Sequence, residues 1–119
     1  EGAADSALVA NLTILRNGLD LYKAEHGAYP KLADMPEALT EYTNEAGGTN
    51  DTATTEYIYG PYLRAIPTLP VGAQKGKNGI DGDGSGADTG WVYTETTGEI
   101  AANTAATEVD AKGKKYSEY

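Results

Sequence analysis

The chain has 119 residues, with 18 acidic and 9 basic side chains, a formal charge of −9 and no cysteine. That charge argues against nucleic acid and against a bare anionic membrane surface as partners, because phosphate binding needs a basic face. The length suits one domain with a modest core that needs no disulfides. No run is long enough to span a bilayer, and no signal peptide is visible. Nine tyrosines do the aromatic packing in a chain without phenylalanine, which favours half-buried surfaces where each hydroxyl keeps a partner.

Residues 1–27 read as a long helix. Within Ala3 to His26, Leu8, Leu12, Leu15, Leu19, Tyr22 and His26 recur at steps of four and three, one face of an α-helix. Ile14 and Leu21 flank this stripe, while Thr13, Arg16, Asn17, Asp20 and Lys23 lie on the far side. The apolar arc is close to half the circumference, and at 1.5 Å per residue the rod is about 35 Å long. Asp5 or Ser6 is the expected cap, Lys23 suits the negative end of the dipole, and Gly27 supplies a left-handed stop. Gly18 costs about 1 kcal/mol relative to Ala, so close packing is expected there. The wide arc has two readings: a broad core face under a sheet, or one side for the sheet and one for a partner helix. The chain also opens where the helical pattern starts, as it does when a preceding segment has been removed.

Residues 28–71 read as a helix-and-loop region. Ala28-Tyr29-Pro30 is extended, since the residue before proline avoids helix. Asp34 and Glu37 form a capping-box-like pair with Pro36 in the first turn, so 35–43 is expected to be a short helix with Leu39 and Tyr42 inward. Residues 44–56 are polar and loop-like. Tyr57-Ile58-Tyr59 is strand-like, and Pro67 and Pro70 confine any later strand to an edge.

Residues 72–90 contain seven of the chain's glycines interleaved with Asp81, Asp83, Ser85 and Asp88. Glycine this dense is costly to order, so a functional or disordered loop is expected. Residues 91–103 follow, with Trp91–Thr94 and Glu99–Asn103 around a Gly98 turn, a β-hairpin. The tail, 104–119, is polar, with room for one more short strand. Helix followed by strands predicts an α+β fold, a long N-terminal helix packed on a small antiparallel sheet.

Catalysis has no foothold in this pattern, and no enzyme activity is expected. His26 is the single histidine, at the end of the apolar stripe, where a structural role is the ordinary one. No serine lies in G-x-S-x-G. Gly72–Lys77 is one residue short of a phosphate loop, and Gly82, Gly84 and Gly86 do not open a helix. Asp81, Asp83, Ser85 and Asp88 are candidate calcium ligands, because alternate oxygens on a flexible backbone can curl around a hard cation. The opening matches an EF-hand loop, but Val92 stands where the bidentate Glu is needed, and no helix flanks it. An irregular site or a plain solvated acidic loop are the two readings.

Several stretches together resemble one family. Leu19, Tyr22, Gly27, Tyr29 and Pro30 fit the helix-end pattern L-x-x-Y-x-x-x-x-G-x-Y-P of type IV pilin-like proteins, most like the major pseudopilins of type II secretion systems. Gly60 to Pro67 resembles that family's G-x-Y-L-x-x-x-P segment, and Gly90–Tyr93 with Gly98–Ile100 its final hairpin. Thr68–Gly72 departs from the family's D-P-W-G-x-P-Y. The resemblance implies a pilin-like fold and a structural subunit of a pseudopilus or pilus-like filament. It implies a preceding apolar segment of about 25 residues, cleaved by a prepilin peptidase, as the sole membrane contact. Self-association with other pilin-like subunits and work with an inner-membrane assembly platform would follow, at the bacterial inner membrane, periplasm or cell surface. Leu8, Leu12, Ile14, Leu15 and Leu21 would form the filament helix interface, and calcium would bind near the final strands. The alternative is an extracellular calcium-dependent binding or adhesion module that forms no filament.

Overall fold

Leu8, Leu12, Leu15, Leu19 and Tyr22 lie buried along one line of α1 (Ala3–His26). The computed structural model describes residues 2–119. After α1 come a 3₁₀ turn (Leu32–Asp34), α2 (Glu37–Thr40), β1 (Tyr42–Thr43), β2 (Thr49–Asn50), β3 (Gly79–Asp81), β4 (Thr89–Thr94), β5 (Glu99–Ala102) and a second 3₁₀ turn (Tyr116–Glu118). The fold is mixed α+β, 49 Å along its longest axis. Among the described residues, no helix is long and apolar enough to cross a membrane.

The two ends of α1 divide the expectation. Gly27 adopts φ 83° and donates its N–H to the Lys23 carbonyl at 2.8 Å, the left-handed stop. At the start, neither Asp5 nor Ser6 caps: the cap position is Gly2, without a side-chain hydrogen bond. Asp5 is buried and accepts the Tyr116 hydroxyl at 2.7 Å, tying the C-terminal tail to the helix. Arg16 adds to this tie, donating to the carbonyls of Ile100 and Tyr119. Gly18 is buried, and a Cβ there would stand 2.9 Å from the Leu63 side chain. The segment after Tyr62 runs back along the helix, where Asn11 donates to the Thr68 carbonyl at 3.1 Å.

The helix expected over 35–43 is cut to one turn. Asp34 makes no cap, and the chain leaves α2 at Glu41 in an extended conformation. Tyr42 and Thr43, an aromatic and a β-branched residue suited to strand, pair antiparallel with Asn50 and Thr49. Thr43 also bridges Tyr59, the only part of 57–59 that pairs. In the tail, a single bridge joins Val109 to Lys115.

The main sheet runs β3-β4-β5 and is mixed, not purely antiparallel. β4 and β5 form the expected hairpin, with Trp91 opposite Ala102 and Tyr93 opposite Ile100. The third strand, parallel to β4, comes from the glycine-rich stretch expected to lack structure. Glycine here permits close approach: a Cβ on Gly79 would meet the Asp88 carbonyl at 2.6 Å, and one on Gly90 would overlap the Lys77 carbonyl. Parallel neighbours ordinarily need a crossover of about a dozen residues; here residues 82–88 suffice, with Gly84 at φ 78°.

Trp91 and Tyr93 are the largest buried side chains. Each satisfies its polar atom: Trp91 Nε1 donates to the Pro67 carbonyl at 2.8 Å, and the Tyr93 hydroxyl to the Pro30 carbonyl at 2.7 Å. Opposite them, the helix leucines close the core together with Leu39, Leu63 and Leu69. The helix arc therefore splits. Leu12 is 1% exposed, whereas Ile14 is 46% and Leu21 55% exposed. Leu12→Ala is expected to cost about 2–5 kcal/mol and Leu21→Ala no more than about 0.5 kcal/mol, measured by urea unfolding of the purified chain.

Candidate functional site: the acidic loop and the open helix face

The loop between β3 and β4 is built around Asp81. One of its carboxylate oxygens accepts the Asp83 and Gly84 amides; the other accepts the Gly86 amide at 3.0 Å and the Thr89 hydroxyl at 2.7 Å. Asp83 in turn accepts the amide and hydroxyl of Ser85 at 3.0 and 2.8 Å. Asn103 closes the loop from β5, donating to the carbonyls of Gly84 and Thr89. Burial alone would raise the Asp81 carboxyl, but donors from Thr89, Gly84, Gly86 and Asp83 together outweigh it and hold the group below its ordinary value. Asp83 is lowered by the two Ser85 donors.

The four residues expected to cradle calcium are thus not gathered around one point. Asp81 and Asp83 face their own loop, Ser85 is engaged by Asp83, and the exposed Asp88 pairs with Lys77 at 3.3 Å. Among the described residues, no group of three or more His, Cys, Asp or Glu is placed to hold a metal ion. The reason is short range: backbone amides two to five residues away reach each carboxylate before a distant ligand can.

His26 ends α1 inside an aromatic box. It stacks on Tyr22 with ring centroids 4.0 Å apart and meets Tyr59 and Tyr62 edge-on at 5.0 and 6.3 Å. Its Nε2 hydrogen-bonds Thr43 Oγ1 at 2.9 Å, while Nδ1 is buried without a hydrogen-bond partner. Burial lowers its pKa; the Glu45 backbone and the Glu25 carboxylate oppose this without reversing it. The ring is fastened between α1 and β1, and among the described residues its side-chain hydrogen-bond partner is Thr43, not a serine or carboxylate as in a catalytic triad.

The helix interface expected from Leu8, Leu12, Ile14, Leu15 and Leu21 divides in two. Leu8, Leu12 and Leu15 are committed to the chain's own core, so only Ile14 and Leu21 remain available to a neighbour. They belong to a second stripe on the opposite side: Ala3, Ala7, Ala10, Ile14, Asn17, Leu21 and Ala24, spaced alternately four and three. Ala7 is half-buried and the rest are exposed. At the helix end, Leu21 and Ala24 share a shallow groove with Ile58 and Pro61, and Ile58 is 62% exposed. Sequence reasoning passed over this stripe because alanine and asparagine dilute it. Its strict alternation was the signal. Compared with protein-family models, curated proteins and solved structures, the chain matches none.

Replacing Asp81 leaves three amides and a hydroxyl without their acceptor. Asp81→Ala is expected to destabilise the chain by about 1–3 kcal/mol, read by thermal or urea unfolding. A carboxyl lowered in the folded state stabilises fully above its ordinary value, near pH 4. That contribution disappears as pH falls through the lowered value. The variant should therefore show a shallower loss of stability with acid below about pH 4 than the parent chain.

Proposed function

We propose that the chain is a structural subunit of a pilin-like filament, of the kind found in type II secretion pseudopili and type IV pili, working by assembly and not by catalysis. One observation carries the reading: α1 buries one apolar stripe in its own core and leaves most of a second open, with Ile14 and Leu21 exposed among alanines, Ala7 half-buried and Asn17 the one polar member. A helix that only roofs a sheet needs a single stripe. A second stripe at heptad spacing is what a helix presents to another helix. The helix-end residues Leu19, Tyr22, Gly27, Tyr29 and Pro30, and the Gly60–Pro67 segment, support the same reading through their resemblance to the pilin-like pattern.

In this reading α1 continues, ahead of Glu1, into an apolar segment held in the inner membrane, and the assembly platform there adds subunits to the filament base. The core side of α1 carries the hairpin and acidic loop outward, leaving the open face for neighbouring subunits. Calcium belongs to the proposal through the 81–88 loop, although an ion would have to draw Asp88 away from Lys77. Millimolar calcium should then raise the melting temperature, and Asp83→Ala should cancel the rise; an unchanged melt removes calcium from the reading.

The filament itself is tested with the natural gene. Its upstream sequence should encode an apolar segment behind a basic leader, and filaments sheared from its own cells should contain this chain. Leu21→Lys should abolish their recovery while leaving the melting temperature of the purified domain within a few degrees. A gene that starts at Glu1, or filaments that form without this chain, overturns the proposal.

A further inference from the structure

Two segments of the chain are chemically almost alike. Arg16-Asn17-Gly18-Leu19 lies in α1, and Lys77-Asn78-Gly79-Ile80 leads into β3. Each is an asparagine followed by glycine, with a basic residue before and a branched aliphatic residue after. Asparagine before glycine loses its amide more readily than before other residues, because glycine sets no Cβ between its own nitrogen and the preceding side chain. The reaction needs only water. The glycine nitrogen gives its proton to solvent and attacks the asparagine Cγ. A new C–N bond forms, the bond to the amide nitrogen breaks, and ammonia leaves with a proton from solvent. Water then opens the five-membered imide at one of its two carbonyls, giving aspartate or isoaspartate. Packing favours glycine at both places: a Cβ on Gly18 would stand 2.9 Å from the Leu63 side chain, and one on Gly79 2.6 Å from the Asp88 carbonyl.

The fold sets the two sites apart through the main chain. Both asparagines are exposed. Attack requires the glycine nitrogen to leave its hydrogen bond and swing toward Cγ. Gly18 is buried in the middle of α1, between the core residues Leu15 and Leu19. Freeing its nitrogen unwinds the helix there and unseats those leucines, which is close to unfolding the whole chain. Gly79 donates its N–H to the Asp88 carbonyl at 2.9 Å, at the first position of a three-residue strand on the edge of the sheet. The register with β4 slips between Gly79 and Ile80. The ion pair beside it, Lys77 with Asp88, is exposed and adds little. Freeing this nitrogen takes only a local opening.

We propose that Asn78 is a site of spontaneous deamidation in the folded chain, opened by local release of β3 from β4, and that the helix spares Asn17. The product bears on the acidic loop. Isoaspartate routes the main chain through the side-chain carbon and so adds a backbone atom ahead of β3. That atom shifts Ile80 and Asp81 against their partners Trp91 and Val92. Asp81 in turn carries the loop through the amides of Asp83, Gly84 and Gly86. Each conversion also adds a negative charge. None of this requires the chain to assemble.

The chain is aged in mildly alkaline buffer at body temperature, both folded and in concentrated urea, and the two sites are followed by peptide mapping with mass spectrometry. In urea they should convert at similar rates, since their neighbours match. In the folded chain Asn78 is expected to convert faster than Asn17 by about tenfold or more. Equal rates in the folded chain, including no conversion at either site, overturn the proposal. Asn78→Asp separates the added charge from the added backbone atom. That variant should keep the parent's melting temperature and its Gly84 and Gly86 amide NMR signals. The isoaspartate form isolated from aged chain should melt lower and shift both signals. An isoaspartate form that matches the Asn78→Asp variant in both measurements refutes the effect on the loop.

Discussion

The burial of one line of α1 against a very thin sheet governs the rest of this molecule. Leu8, Leu12, Leu15 and Leu19 need a cover that runs the helix's length, and the main sheet has three short strands to offer. Trp91 and Tyr93 supply the bulk that the strands lack. The ends of the helix are covered by segments with little regular structure: 57–69 after Gly18 and the tail that returns to Asp5 and Arg16. Such segments hold through single anchors, Leu63 into Gly18, Tyr116 onto Asp5, Trp91 onto Pro67. Tyrosine suits this architecture, because each ring fills space at the edge of the core while its hydroxyl finds a carboxylate or a carbonyl there.

Glycine is the second constraint, and it works against the usual expectation. Flexibility in the unfolded chain is what makes a glycine-rich stretch expensive to order. Removal of Cβ is what lets two backbones come within hydrogen-bonding range in an otherwise crowded crossing. At Gly79 and Gly90 the second effect dominates, since any side chain there would enter a neighbouring carbonyl. Leu69 is drawn into the same knot, donating its N–H to the Lys77 carbonyl and accepting at its own carbonyl from the Gly76 N–H. The stretch is thus ordered by main-chain contacts that composition alone does not reveal.

The sequence made the helix legible because periodicity of 3.6 over seven turns leaves little ambiguity. Gly27, Gly18 and the β4–β5 hairpin followed from local rules of the same strength. β3 was hidden, because a parallel partner placed by a seven-residue loop has no sequence signature and its glycines argue for disorder. The cap at Asp5 was misplaced for a different reason: its carboxylate serves a tyrosine 111 residues later, a contact invisible to any local rule. Asp81 was legible as chemistry and not as geometry. The sequence groups Asp81, Asp83, Ser85 and Asp88, yet nearby amides hold the Asp81 carboxylate inward and leave Asp88 to Lys77.

The open face of α1 is harder to explain as an accident of a monomer. Single exposed apolar residues are ordinary, but Ile14, Leu21 and Ile58 lie outside the chain's own core, and Leu21 and Ile58 share one groove. Among lysines or glutamates there the helix would be at least as stable, given their propensities. A formal charge of −9 opposes the close approach of separate copies, so an apolar face left open works against a cost that a wholly polar face would not meet.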